Sequence, residues 1–216
     1  PTMDRLYRND GDGTFTDITL EAGLNRRFGN GLGAVGADFD EDGRIDIFVA
    51  NDGMADQLWL NRGDLRFVEE AALWGSAVNN QGVATAGMGV AAADVDDDGD
   101  TDLIVVNFEN EADSFYLNEG GYFLDVTAQV GIAAASRKRT RFGVVLADFD
   151  NDGRLDLYES NGKVDGDPAA IPDAFAEPNA LFGGRTSDAG EFFFQEIEPV
   201  AGVAVAAVFT SRALVV

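Results

Sequence analysis

One ten-residue pattern occurs three times in this chain: ADFDEDGRID at 37–46, ADVDDDGDTD at 93–102 and ADFDNDGRLD at 147–156. Their first aspartates, Asp38, Asp94 and Asp148, stand 56 and then 54 residues apart. A fixed period of this length commits the chain to a repeated supersecondary unit, because one copy cannot bury its apolar face without a neighbour. The flanks repeat too. Small residues precede each copy (33–37, 89–93, 143–147), an apolar segment follows it, and Asn51, Asn107 or Asn161 closes the segment.

A second motif alternates with the first: Leu6, Tyr7 and Asn9; Leu58, Trp59 and Asn61; Phe115, Tyr116 and Asn118; and an eroded copy at Leu181 and Phe182. Each is followed by a glycine-containing turn and a phenylalanine (Phe15, Phe67, Phe123, Phe194), which reads as a hairpin. The acidic run at 9–13 is then a tight turn inside the first hairpin. Every period thus offers four short β segments, and no segment carries a long 3.6-residue apolar repeat. The expected class is all-β: a β-propeller, or part of one, built from repeats of about 55 residues with four short strands each. Residues 1–216 are expected to form a single repeat domain, a fragment of a longer protein, with a loop insertion at 161–180. The chain opens on an aromatic hairpin and ends on an apolar stretch at 202–216, so its two ends are expected to complete one blade between them. That last unit has no Asp or Glu, and 208–212 stand where its acidic loop should be.

The chemistry of the repeated loop follows from its spacing. Carboxylates at positions 1, 3, 5 and 9 surround a glycine at position 6, whose freedom permits the turn that brings alternate side chains and one backbone carbonyl onto a common centre. Such an all-oxygen cage suits calcium, which takes about 6–8 oxygens, better than the tighter octahedron of magnesium. Without a cation the carboxylates repel one another, which argues against a plain solvated turn recurring three times. An EF-hand needs Glu at position 12 and a following helix. Position 12 is Val49 and Val105 in the first two copies, and Glu159 in the third follows residues that alternate like a strand.

Composition narrows the alternatives. With 39 acidic against 15 basic residues the formal charge is -24, yet 45% of residues are hydrophobic, so the chain is an acidic globular one rather than a disordered tail. Nucleic acid is excluded as a partner for want of a basic surface. The absence of histidine and cysteine removes Ser-His-Asp and Cys-His catalysis and the usual zinc and copper sites. The longest apolar stretch, 201–209, is short of the roughly 20 residues of a membrane-spanning helix.

The three loops, the Leu-Tyr/Trp-x-Asn segments and the turn at 9–15 resemble the FG-GAP or VCBS repeats, the calcium-loop blades also found in integrin α-subunit propellers. More narrowly, Ser160 to Val164, a proline-bearing insertion and the stretch from Glu177 to Phe182 look like the repeat region of the ASPIC/UnbV family. The resemblance implies a propeller, calcium in each blade, and an extracellular, cell-surface or periplasmic role in adhesion or recognition of a protein or glycan ligand. Carried over by position, the metal ligands are Asp38, Asp40, Asp42 and Asp46; Asp94, Asp96, Asp98 and Asp102; Asp148, Asp150, Asp152 and Asp156. Arg44, Asp100 and Arg154 supply backbone carbonyls only.

The leading expectation is therefore a non-catalytic calcium-binding module. The rival is a calcium-dependent carbohydrate-active enzyme, which needs a carboxylate pair outside the repeat pattern; Asp165, Asp167 and Asp173 are the candidates. Asp17, Glu69 and Asp125 recur in the hairpins, as structural residues do. The basic run at 137–141 reads as a solvated loop pairing with nearby acids, with an anionic partner as the alternative. Trp59 aligns with Tyr7 and Tyr116 and reads as core.

Overall fold

The computed structural model describes residues 1–165, 174–197 and 208–212. In chain order its strands are β1 (Tyr7–Asn9), β2 (Phe15–Asp17), β3 (Gly31–Ala37), β4 (Asp46–Asn51), β5 (Gln57–Asn61), β6 (Phe67–Glu69), β7 (Gly87–Ala93), β8 (Asp102–Asn107), β9 (Ser114–Asn118), β10 (Phe123–Asp125), β11 (Arg141–Ala147), β12 (Asp156–Asn161), β13 (Glu177–Pro178), β14 (Ala180–Thr186), β15 (Phe192–Glu196) and β16 (Val208–Phe209). Three four-stranded antiparallel sheets result, ordered β3-β4-β5-β6, β7-β8-β9-β10 and β11-β12-β14-β15. These are the three blades. Each comprises a small-residue inner strand, the acidic loop, an apolar strand and the aromatic hairpin, in the order that the two sequence motifs predict.

The inner strands lie side by side, and their small residues are what allows it. A Cβ placed on Gly33 would come within 3.1 Å of the Gly89 Cα, and one on Gly89 would collide with the Phe142 carbonyl oxygen. Each inner strand also starts with a register shift against its neighbour, between Gly31 and Gly33, Gly87 and Gly89, and Arg141 and Gly143. The shift recurs because the repeat does.

Blades pack face to face through the residues that alternate on their middle strands. Phe39, Phe48, Leu58 and Leu60 of the first blade meet Leu103, Val105, Tyr116 and Phe123 of the second. Ile104, Val106 and Phe115 then meet Leu157, Phe182 and Phe194 of the third. Most of these side chains are almost fully buried, and each contributes about 1.5–3 kcal/mol of burial. Trp59 is core, as its alignment predicts. One-turn helices at Thr19–Ala22, Ala71–Trp74 and Ala133–Ser136 join hairpin to next blade. No helix among the described residues is long and apolar enough to cross a membrane.

At its ends the chain departs from the expected pattern. Among the described residues β1 and β2 form a two-stranded sheet with no inner strand beside it. Phe15 is 63% exposed, whereas its equivalents Phe67 and Phe123 are 5% and 3% exposed. Residues 208–212 do not stand in for an acidic loop. β16 pairs with β13, the Ser211 amide donates to the Asn161 carbonyl (3.0 Å), and the Arg212 guanidinium sits 4.1 Å from the centre of the Phe142 ring. The reason is local: without an aspartate ladder to fold the loop, the segment takes up backbone bonds along the third blade instead. Among the described residues β1 pairs only with β2, and the rest of the expected closing strand lies outside them, as do Asp167 and Asp173 of the insertion.

Candidate metal centre

Each acidic loop is the connection between an inner strand and the next strand, and two of its own carboxylates fold it. At position 1, Asp38 accepts the Asp42 and Gly43 amides (3.1 and 2.8 Å), Asp94 those of Asp98 and Gly99 (3.1 and 3.0 Å), and Asp148 those of Asp152 and Gly153 (3.0 and 2.9 Å). The glycine that follows is left-handed in every copy, with φ of 84°, 102° and 87°, a backbone that a Cβ would strain.

At position 9, Asp46, Asp102 and Asp156 are buried and act as clamps. One oxygen takes the amide just after position 1 (Phe39, 3.0 Å; Val95, 2.8 Å; Phe149, 3.0 Å). The other takes an amide of the third strand (Asn61, 2.7 Å; Asn118, 2.9 Å; Gly184, 2.9 Å). Burial raises the carboxyls of Asp46 and Asp102, the latter to about 7, although these amide bonds pull the other way.

Asp38, Asp40 and Asp42 bring one carboxylate oxygen each within 4.8 Å of one another, as do Asp94, Asp96 and Asp102, and Asp148, Asp150 and Asp156. Asp46, Asp98 and Asp152 stand outside these trios. Asp98 instead accepts the Asp100 amide (2.9 Å), and Asp152 accepts the Arg154 amide and pairs with its guanidinium. The side chain of Arg44 reaches back in the same way to Asp42, and its Nε donates to the Asn61 carbonyl (2.8 Å). The spacing assigned Arg44 and Arg154 only a backbone role; their side chains also hold charge against the loop.

The donor set fits a hard cation. The Asp40 Oδ1 is buried with no hydrogen-bond partner. Burial, then Asp98 and Asp94, raise the Asp96 carboxyl. Convergent carboxylates that lack donors are stabilised by an ion taking oxygen ligands.

Away from the loops, the recurrent hairpin acids are turn-formers. Asp17 and Asp125 each accept both the amide and the hydroxyl of the threonine two residues on, and Glu69 accepts the Ala71 amide. Asp165 is exposed. The basic run at 137–141 is divided. Lys138 and Arg139 lie against Glu196, while Arg141 is fully buried and paired with Asp113 at 2.6 Å. That run is therefore not simply a solvated loop. Sequence reasoning missed Asp113, Arg141 and Glu159 as a buried cluster. The available signal was the register: Arg141 occupies the place of Gly31 and Gly87, and Glu159 that of Val49 and Val105. A groove of about 1000 Å³ runs between the second acidic loop and the outer hairpin of the third blade, lined by Asp94, Asp96, Leu117, Arg154, Phe192 and Phe193 among others.

Residues 1–49, 38–105 and 94–159 match the FG-GAP-like repeat family. Over 175 residues the chain is 32% identical to cartilage acidic protein 1 of Mus musculus, a match covering 77% of this chain and 26% of that protein. The Homo sapiens cartilage acidic protein 1 is likewise 32% identical over 77% of this chain and 25% of its own length. The chain thus spans about a quarter of the length of these homologues. Among solved structures, an Agrocybe aegerita lectin described for specific recognition of non-reducing terminal N-acetylglucosamine aligns with 82% of this chain and 45% of its own, at 21% identity and a TM-score of 0.38.

Proposed function

Because this chain belongs to the FG-GAP-like repeat family, we propose that it is a calcium-binding β-propeller module that serves as an extracellular scaffold and recognition surface. The observation that carries this reading is the recurrence of a three-carboxylate centre at one position of three successive blades. Bound calcium would neutralise each centre and tie the inner strand of a blade to the strand after it.

The chain's own residues do the remainder. Asp38, Asp94 and Asp148 keep each loop closed through its backbone, and the position-9 clamps anchor it to the sheet. Metal binding to the folded state alone is folding energy. Extracellular calcium is plentiful enough to fill even weak sites of this type, which supports a secreted or cell-surface setting. So does the homology to cartilage acidic protein 1, whose name places it in cartilage.

In this reading the module is not an enzyme: the hairpin acids form turns, and the Asp113 and Glu159 carboxyls are sealed in the core. The groove beside the second loop is the surface offered to a protein or glycan ligand.

Thermal unfolding in EDTA, in millimolar calcium and in millimolar magnesium tests the proposal. A site held at about 100 times its dissociation constant adds roughly 2.7 kcal/mol, so three sites raise the midpoint by many degrees, and calcium should do so more than magnesium. A folded chain with one midpoint in all three conditions would sink it.

A further inference from the structure

The buried cluster between the second and third blades breaks the rule of the repeat. In the first two blades the first residue of the inner strand is glycine (Gly31, Gly87), and the side chain packed over it is valine (Val49, Val105). In the third blade the same two places hold Arg141 and Glu159, both 0% exposed. Arg141 donates to Asp113 of the second blade (2.6 Å), to the Glu111 carbonyl (2.9 Å) and to the carbonyls of Ser136 and Arg139. Four of its five N–H groups are thus engaged by partners other than Glu159.

Glu159 is left with both carboxyl oxygens buried and no donor, and Asp113 with a buried Oδ2 in the same condition. The two carboxyls lie against each other. Two ionised carboxylates cannot bond one another, and each unpaired charge in the core is costly. One proton removes the charge from Glu159 and lets it donate to Asp113 Oδ2, which leaves the second Glu159 oxygen as a neutral carbonyl. The charge then also closes, with one guanidinium facing one carboxylate.

We propose that Glu159 stays protonated in this interface and donates a hydrogen bond to Asp113, and that this bond, with Arg141, latches the second blade to the third. Burial first, then the Asp113 charge, raises Glu159 well above the ordinary carboxyl range, against the opposing pull of Arg141 and the more distant Arg139. β14 opposes Glu159 with Ala180, which is uncharged, and Glu177 nearby is occupied by the Thr140 amide (3.0 Å). The sign follows: a carboxyl whose folded-state pKa is raised binds more protons folded than unfolded, so the latch is intact at low pH and is lost as pH rises through the raised value.

The test holds calcium saturating, so that the acidic loops do not titrate, and follows the unfolding midpoint from pH 5 to pH 9 for the wild-type chain and for Glu159→Gln. Glutamine keeps a donor for Asp113 without a proton to lose. The midpoint of the wild-type chain should fall more steeply with pH, and the variant should be the more stable of the two at the alkaline end. Equal slopes would overturn the protonated Glu159.

If Glu159→Gln does not fold, carbon-13 NMR of the wild-type chain labelled only at glutamate side chains decides instead. One glutamate carboxyl should still be protonated at pH 7, and a spectrum in which all are ionised refutes the proposal. A double-mutant cycle adds an independent arm. Arg141→Gly alone should lower the midpoint sharply, and Arg141→Gly with Glu159→Val, which recreates the first two blades, should recover most of the loss. Additive losses would count against the latch.

Discussion

The second acidic loop and the two that flank it share one backbone and differ in charge. Between 94 and 102 there are six aspartates and no base. The first loop has Arg44 on Asp42 and Arg62 on Asp40 at 2.9 Å, and the third has Arg154 on Asp152 with Arg185 at 3.9 Å. At position 7 the second loop carries Asp100 instead, and Glu41 of the first loop crosses over to it; contact with Asp100, then the Asp38 and Asp98 charges, raises the Glu41 carboxyl. One fold therefore tolerates its acidic loops in two ways. The flanking loops are partly neutralised by their own arginines, and the central one has no base within its span.

The most severe test of that difference is pH in the absence of metal. In EDTA, Asp102 with its carboxyl near 7 binds a proton that the unfolded chain holds only below about 4. Stability should therefore fall as pH rises between those limits, by up to about 4 kcal/mol at ~1.4 kcal/mol per unit. Saturating calcium, which favours the ionised form, should flatten the slope. Unfolding curves at pH 5 and pH 8 with and without calcium give the answer, and a slope that calcium leaves untouched would break the comparison.

Next in size is the loss of one ligand. Asp96→Asn should remove more of the calcium-dependent rise in midpoint than Asp40→Asn, up to the roughly 2.7 kcal/mol of one well-filled site. Asp40 already has a guanidinium partner, whereas the Asp98 and Asp94 charges bear on Asp96. Equal losses from the two variants would mean that the arginines do not matter to the ion.

The smallest effect is the exchange of position 7. Asp100→Arg should stabilise the metal-free chain by at most about 1 kcal/mol, the scale of an exposed pair, and should shrink the increment that calcium adds. Arg44→Asp should do the reverse in the first loop. Calcium titration calorimetry on the two variants would sharpen the ranking.

Much of this was legible in the residues. The spacing of Asp38, Asp94 and Asp148 announces the repeat, the alternation around Trp59 and Tyr116 announces the hairpins, and Gly43, Gly99 and Gly153 announce the turn, because each is a local requirement of backbone or burial. The roles of the twelve aspartates were not separable in the same way. Whether a carboxylate faces an ion or two backbone amides depends on the strand opposite, so the clamps at Asp46, Asp102 and Asp156 emerge only once Asn61, Asn118 and Gly184 are set beside them. Arg141 was misjudged because a run of basic residues at 137–141 looks exposed until it is aligned with Gly31 and Gly87. Partners at long sequence separation, such as Asp113 for Arg141, leave no local trace.

The contact of Gly33 with Gly89, and of Gly89 with the Phe142 backbone, bears on how such a chain can grow. A blade gained by tandem duplication inherits its glycine together with its acidic loop, and so arrives able to lie against its parent. A blade whose glycine has drifted to a larger residue can keep every aspartate and still be unable to seat in the middle of the row. The lineage of the inner strand, more than that of the acidic loop, therefore limits which copies can be shuffled, lost or added.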